Sequence, residues 1–244
     1  MARSRGKFTP IKSFGLKKKL NEKFWSKDMS LDREVRGNLI QISTDLVDGL
    51  DMKIEIEDII FTGSLANYNW SRYSDIDLHI LVDYLEINRD YDLVQKYLES
   101  VKKIWNTNHD IIIKGYPVEV YFQDVSEEHS SSGQFSVLKD KWLVKPQPGS
   151  FRPDEQLIKK KSIGYIKEID ELEMDIETGE TWDNIEDRFV KLWKKIKQSR
   201  KTSLEKDGEF SIENLVFKLL RRNGYIEKLI NLKTKAYDKQ YTLK

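Results

Sequence analysis

Two aspartates one residue apart, Asp75 and Asp77, open the segment Asp75-Ile76-Asp77-Leu78-His79-Ile80-Leu81-Val82. In an extended strand alternate side chains share a face. Asp75, Asp77 and His79 are therefore expected on one side, and Ile76, Leu78, Ile80 and Val82 on the other, against a core. Ten residues separate Asp75 from the serine of Phe61-Thr62-Gly63-Ser64. A tight Gly-Ser turn presents backbone N–H groups that hold phosphate, the more so where a helix begins there. Paired carboxylates beside such a turn gather divalent cations around a triphosphate. Arg72 lies in the connecting loop and reads equally as a phosphate contact or as a solvated loop arginine.

The next strands offer a third carboxylate. Asp110-Ile111-Ile112-Ile113-Lys114-Gly115 and Pro117-Val118-Glu119-Val120-Tyr121-Phe122 read as two short strands joined by a turn at Gly115. Val118, Val120 and Phe122 form the apolar face of the second strand, and Glu119 points away with Tyr121. An acid within an apolar strand is costly unless it is paired or bound to metal. Asp124 competes for the same role, but alternation places it on the apolar face, so Glu119 is the expected third acid. His79, on the acid face, reads as a lining residue or as a hydrogen-bonded strand residue.

Gly63-Ser64, Asp75-x-Asp77 and the strand-borne Glu119, in that order and each in its own turn or strand, resemble the signature of the polymerase-β-like nucleotidyltransferase superfamily. The resemblance spans residues 55–124. It implies in-line transfer of a nucleoside monophosphate from a nucleoside triphosphate, such as ATP, to a hydroxyl acceptor. It also implies two Mg²⁺ (or Mn²⁺) ions, about 3.5–4 Å apart in such sites, held by Asp75 and Asp77, with Glu119 sharing one of them. The triphosphate is expected on the Gly63 and Ser64 amides and the Ser64 hydroxyl, with Arg72 as a further nucleotide contact. Members of the superfamily modify nucleic-acid 3′ ends, proteins, small drugs or other nucleotides, so the acceptor stays open. An RNA 3′ end is slightly favoured. The alternatives are a protein or small-molecule hydroxyl, synthesis of a nucleotide second messenger, and nucleotide binding without catalysis.

The elements that must position these residues follow from periodicity. Leu31, Val35, Leu39, Ile42 and Leu46 recur at helical spacing, with Ser30 as N-cap and Gly49 as the stop. Ile54–Phe61 reads as a strand leading into the Gly63-Ser64 turn. A helix from Asp90 to Trp105 carries Tyr91, Val94, Leu98, Val101 and Trp105 on one side. This order gives an α+β fold, a small mixed β-sheet covered by helices. Residues 125–150 read as loop, with Gln134–Leu138 and Trp142–Val144 as segments that pack onto the sheet.

Beyond Pro153 the pattern is helical throughout. Leu157, Tyr165, Ile169, Leu172 and Ile176 form one stripe ending at Gly179, and Asp183 with Glu186 reads as a capping box for the next helix. That helix turns Ile185, Phe189, Leu192, Trp193 and Ile196 inward and Lys191, Lys194, Lys195 and Lys197 outward, with Arg200 and Lys201 beyond. Two shorter helices flank Arg221-Arg222-Asn223-Gly224. The expected organisation is a basic N-terminal arm over residues 1–28, a catalytic domain over 29–145 and an α-helical C-terminal domain over 146–244.

Charge distribution bears on the acceptor. The net charge of +1 is uninformative, but residues 1–23 carry eight Lys or Arg against Glu22 alone. Such an arm can grip a polyanion, and the Lys191–Lys201 run and Arg221-Arg222 lean the same way. Residues 145–244 nevertheless balance 22 basic against 18 acidic side chains, which suits a wet helix face. With no Cys, disulfides and thiolate metal sites are excluded. His79, His109 and His129 are too scattered for a zinc site. No apolar run approaches the roughly 20 residues that span a bilayer, and the N-terminus has no signal-peptide core. A cytoplasmic protein with no membrane partner is expected; oligomeric state is not readable.

Overall fold

The computed structural model describes residues 9–128 and 131–243, so Arg3, Arg5 and Lys7 of the basic segment, together with His129, lie outside the described residues. Among these residues are a six-stranded mixed sheet and seven α-helices, arranged in two compact units. The first unit, Leu16–Ser150, contains the sheet. Its strands are β1 (Asp58–Thr62), β2 (Ile76–Val82), β3 (Ile112–Ile113), β4 (Tyr116–Asp124), β5 (Gln134–Ser136) and β6 (Lys141–Val144), in the order β3-β4-β2-β1-β5-β6.

Strand β2 shows the expected alternation: Ile76, Leu78, Ile80 and Val82 are buried, and Asp77 and His79 half-buried. It pairs antiparallel with β1 and parallel with β4. A parallel pairing needs a crossover, here α2 (Tyr84–Ile87) and α3 (Tyr91–Asn108). The Asp90 carboxylate caps α3 by accepting from the Leu93 amide at 3.0 Å, and Val94 and Leu98 are its buried stripe. Strands β3 and β4 turn through Lys114 (φ 51°) and Gly115 (φ 91°). Two successive positive φ angles suit a two-residue hairpin.

Several boundaries differ from the sequence reading, each for a local reason. Helix α1 (Arg33–Asp48) is capped by Asp32, whose carboxylate accepts from Val35 N at 3.0 Å, and not by Ser30. Leu31 instead bridges to Trp25. Strand β1 begins at Asp58, four residues after Ile54. The buried Asp58 carboxylate accepts from the Ser136 hydroxyl at 2.7 Å and pairs with Lys139 at 3.0 Å, tying β5 to β1. Residues 134–144, read as loop segments, thus extend the sheet as β5 and β6. Residues 16–28 pack as well: Phe24 and Trp25 are buried, and Trp25 stacks on Phe61 with ring centres 5.5 Å apart.

The second unit joins residues 9–15 to residues 151–243. Helices α4 (Glu155–Thr178), α5 (Trp182–Asp207), α6 (Ile212–Arg222) and α7 (Tyr225–Tyr241) enclose a core that includes Ile158, Ile169, Leu172, Ile185, Leu192, Leu219 and Leu229. The one-turn helix Ile11–Phe14 contributes Ile11 and Phe14 to it. In α4 the inward residue is Ile158, and Leu157 is exposed; α4 stops at Gly179 in the left-handed region. The expected capping box is absent, because Thr181 is the N-cap of α5 and Asp183 lies within its first turn. An acid there still favours the helix electrostatically. No described helix is long and apolar enough to cross a membrane.

Candidate metal and nucleotide site

The three expected acids meet. In the parallel pairing of β2 and β4, Asp77 lies opposite Glu119. Neighbouring strands are about 4.8 Å apart, so same-face side chains in register project together. Asp75 enters from the residue before β2. One carboxylate oxygen from each of Asp75, Asp77 and Glu119 lies within 4.8 Å of the others, and all three residues are half-buried. An all-oxygen set of three carboxylates suits a hard divalent cation such as Mg²⁺ or Mn²⁺.

Gly63 is fitted to this cluster. It follows β1, whose Thr62 pairs with Asp77, and adopts φ 75°, ψ −160°. A Cβ there would fall 1.7 Å from Asp77 Oδ2. Both the backbone angles and the space therefore require glycine. The chain then makes a short helical turn, Ser64–Ala66. The Ser64 hydroxyl donates to the Ser74 hydroxyl at 2.7 Å, and Ser74 Oγ accepts from the Ser71 amide at 3.0 Å. These bonds close the loop of residues 67–74 so that Ser64 comes beside the residue preceding Asp75. Arg72 is exposed on this loop and engages Tyr73: it donates to the phenol at 2.5 Å, with its guanidinium 4.8 Å above the ring.

Glu119 is positioned by its own strand. The Tyr121 hydroxyl donates to Glu119 Oε2 at 2.5 Å. Burial first, and then the Glu119 charge, push the phenol pKa upward, so Tyr121 remains a donor. His79 stacks on Tyr121 with ring centres 4.9 Å apart, and its Nδ1 shares a hydrogen bond of 2.9 Å with Gln123 Oε1. His79 is thus a hydrogen-bonded strand residue. Lys102 of α3 places its ammonium 5.2 Å from the centre of the Tyr121 ring. Tyr121, Gln123 and Ser74 were not singled out from sequence, although Tyr121 shares the parity of Glu119.

Asp124 has a different task. It is buried at the end of β4 and accepts from Tyr84 N at 2.8 Å, from Ser126 N at 2.9 Å and from the Ser126 hydroxyl. Burial alone would raise its pKa. The Ser126 hydroxyl and the two amides outweigh that and hold it below the ordinary carboxylate value. It fastens the crossover to the sheet.

In the helical unit the basic run on α5 is largely matched by acids. Lys191 pairs with Asp187 at 2.6 Å and Lys195 with Glu168 at 2.8 Å, while Lys201 stands 3.9 Å from Glu205. A cavity of about 280 Å³ lies there between α4, α5 and α6, rimmed by the Lys195–Glu168 and Lys161–Glu213 pairs; none of the converging acids lines it. Comparison of the chain with protein-family models, with curated proteins and with solved structures returns no match.

Proposed function

We propose that the Leu16–Ser150 unit is a metal-dependent nucleotidyltransferase of the polymerase-β-like type, moving a nucleoside monophosphate from a triphosphate to a hydroxyl acceptor. The observation that carries this reading is the meeting of Asp75, Asp77 and Glu119 within 4.8 Å, beside a Gly63 that leaves room only for Asp77. Asp75 and Asp77 would hold the divalent cations, with Glu119 sharing one. Bound there, Mg²⁺ or Mn²⁺ supplies charge neutralisation for the polyphosphate and a lowered pKa for the acceptor hydroxyl.

The chain's own groups do the positioning. The Gly63 and Ser64 amides receive the β- and γ-phosphates, and the Ser64–Ser74 bond fixes the Ser64 hydroxyl. Tyr121 holds Glu119 in one orientation. In the reaction the acceptor oxygen forms a bond to the α-phosphorus while the bridge to the β-phosphate breaks. Pyrophosphate leaves with the electron pair, and the hydroxyl proton passes to solvent. Such chemistry needs mainly placement and electrostatics.

The test is thermal melting with each of the four ribonucleoside triphosphates, and pyrophosphate release from them with total RNA or cell extract added as the source of acceptor hydroxyls, with and without millimolar Mg²⁺ or Mn²⁺. A raised melting temperature and metal-dependent pyrophosphate release are expected. No response of either quantity to any triphosphate would end this reading.

A further inference from the structure

We infer that the surface formed by residues 17–19 and the loop of residues 67–74 binds single-stranded nucleic acid and leads its 3′ hydroxyl to the acids. This inference rests on the nucleotidyl-transfer reading for its catalytic consequence, and on geometry for the binding itself. The two segments are joined. Lys17 N donates to Tyr68 O at 2.6 Å, and the Trp70 indole donates to Lys19 O at 2.9 Å. The Lys17 ammonium sits 5.8 Å from the centre of the Trp70 ring, and Arg72 covers Tyr73. Cations and aromatic rings are therefore interleaved on one held surface.

That composition answers single-stranded nucleic acid. Its phosphates are neutralised by Lys and Arg, and its unpaired bases stack on aromatic faces. Lys18 and Arg72 are exposed, and among the described residues no acid pairs with Lys17, Lys18 or Arg72. Lys19 pairs with Glu22 at 2.9 Å, but both are solvent-exposed. Exposed pairs of this kind are weak and exchange readily for a phosphate. On the α5 run, by contrast, Lys191, Lys195 and Lys201 already face Asp187, Glu168 and Glu205.

The surface also lies on the path to the chemistry. Arg72 precedes Asp75 by three residues, a reach of at most about 11 Å along the backbone. The Ser64–Ser74 and Ser71–Ser74 hydrogen bonds fix this stretch against the Gly63 turn. A strand lying across Trp70 and Arg72 would thus run toward Asp75.

The experiment is fluorescence anisotropy with a labelled 12-nucleotide RNA and the matching DNA, using the full chain in EDTA at 50 mM salt. Binding of RNA, alone or together with DNA, is expected. With three phosphates contacted, raising salt to 200 mM should weaken binding about 20-fold. Lys17→Glu with Lys18→Glu should weaken it about tenfold or more, and Trp70→Ala about fivefold or more. The lysine variant and the salt slope decide the matter even if Trp70→Ala fails to fold. Failure to bind either oligomer, or binding insensitive to salt and to the lysine reversals, overturns the inference. A protein that releases pyrophosphate yet binds neither oligomer refutes this surface alone. One that binds both yet never releases pyrophosphate refutes the transfer reading and leaves the surface standing.

Discussion

Replacing Gly63 by alanine tests the site at its tightest point. The added Cβ would lie 1.7 Å from Asp77 Oδ2, and real Cβ contacts stay beyond 3.0 Å. The carboxylate, the turn or both must therefore move by more than about 1 Å, a displacement that costs on the order of a hundredfold in rate when it misplaces reacting groups. The backbone adds its own penalty, because φ 75° with ψ −160° is a region nearly confined to glycine. Holding a side chain there costs about 1–3 kcal/mol. Gly63→Ala should thus lower the melting temperature by several degrees and reduce metal-dependent pyrophosphate release about a hundredfold or more. The Gly63→Ala/Asp77→Ala double variant separates the two causes, since removing the carboxylate relieves the clash but not the backbone strain. It should melt above Gly63→Ala alone, giving a favourable coupling in the double-mutant cycle. Additive effects, or a Gly63→Ala protein with unaltered melting and pyrophosphate release, would refute the argument.

Neutralising the acids should separate stability from activity. Asp75→Asn, Asp77→Asn and Glu119→Gln should each abolish pyrophosphate release and reduce the Mg²⁺-induced rise in melting temperature; because like charges converge there, the metal-free variants should melt no lower than the native chain. Tyr121→Phe removes the hydroxyl that orients Glu119, so the Mg²⁺ concentration for half-maximal release should rise roughly tenfold; an unchanged titration would show that Glu119 does not depend on it. Asp124→Ala should destabilise by about 2–3 kcal/mol, because the Tyr84 and Ser126 amides lose their acceptor, while leaving the metal dependence of release intact. With its folded pKa depressed, Asp124 contributes stability fully above about pH 3.9, and that contribution fades as pH falls through the lower folded value. Denaturant melts of native and Asp124→Asn protein should therefore converge below that pH, and divergence on acidification would contradict the assignment.

The acid face was legible because alternation along Ile76–Val82 is a strictly local property, and Glu119 carried its parity in the same way. What sequence could not show is the pairing itself. The parallel register of Asp77 with Glu119 depends on a crossover through two helices, whose docking is fixed by tertiary contacts. Helix α3 was readable from Asp90 and its apolar stripe. The α1 and α5 caps were not, since Ser30 and Asp32, or Thr181 and Asp183, are both capping types and the surrounding chain decides between them. Residues 134–144 looked like loop because β5 and β6 are short, and their attachment runs through the buried Asp58, which reads as an ordinary charged residue in sequence. The basic segment hid Phe24 and Trp25 among lysines. Arg72 was placed correctly in its loop, but its partner, Tyr73, depends on how that loop closes.

The position of β2 and β4 inside the sheet, each with a neighbour on both sides, has a consequence for how the site breathes. Amides of Ile76–Val82 are locked in ladders to β1 and β4, so they should exchange with solvent deuterium only through the largest openings of the unit. The loop of residues 67–74 belongs to no ladder; it is held by side-chain bonds among Ser64, Ser71 and Ser74 and by the bonds of Tyr68 and Trp70 to residues 17–19. Its amides can open without disturbing a ladder. The two halves of the candidate site are therefore expected to open in different cooperative units, which hydrogen exchange would resolve. A bound triphosphate should then slow exchange across the loop while leaving β2 unchanged, so that ligand occupancy is written in the loop and fold integrity in the strand.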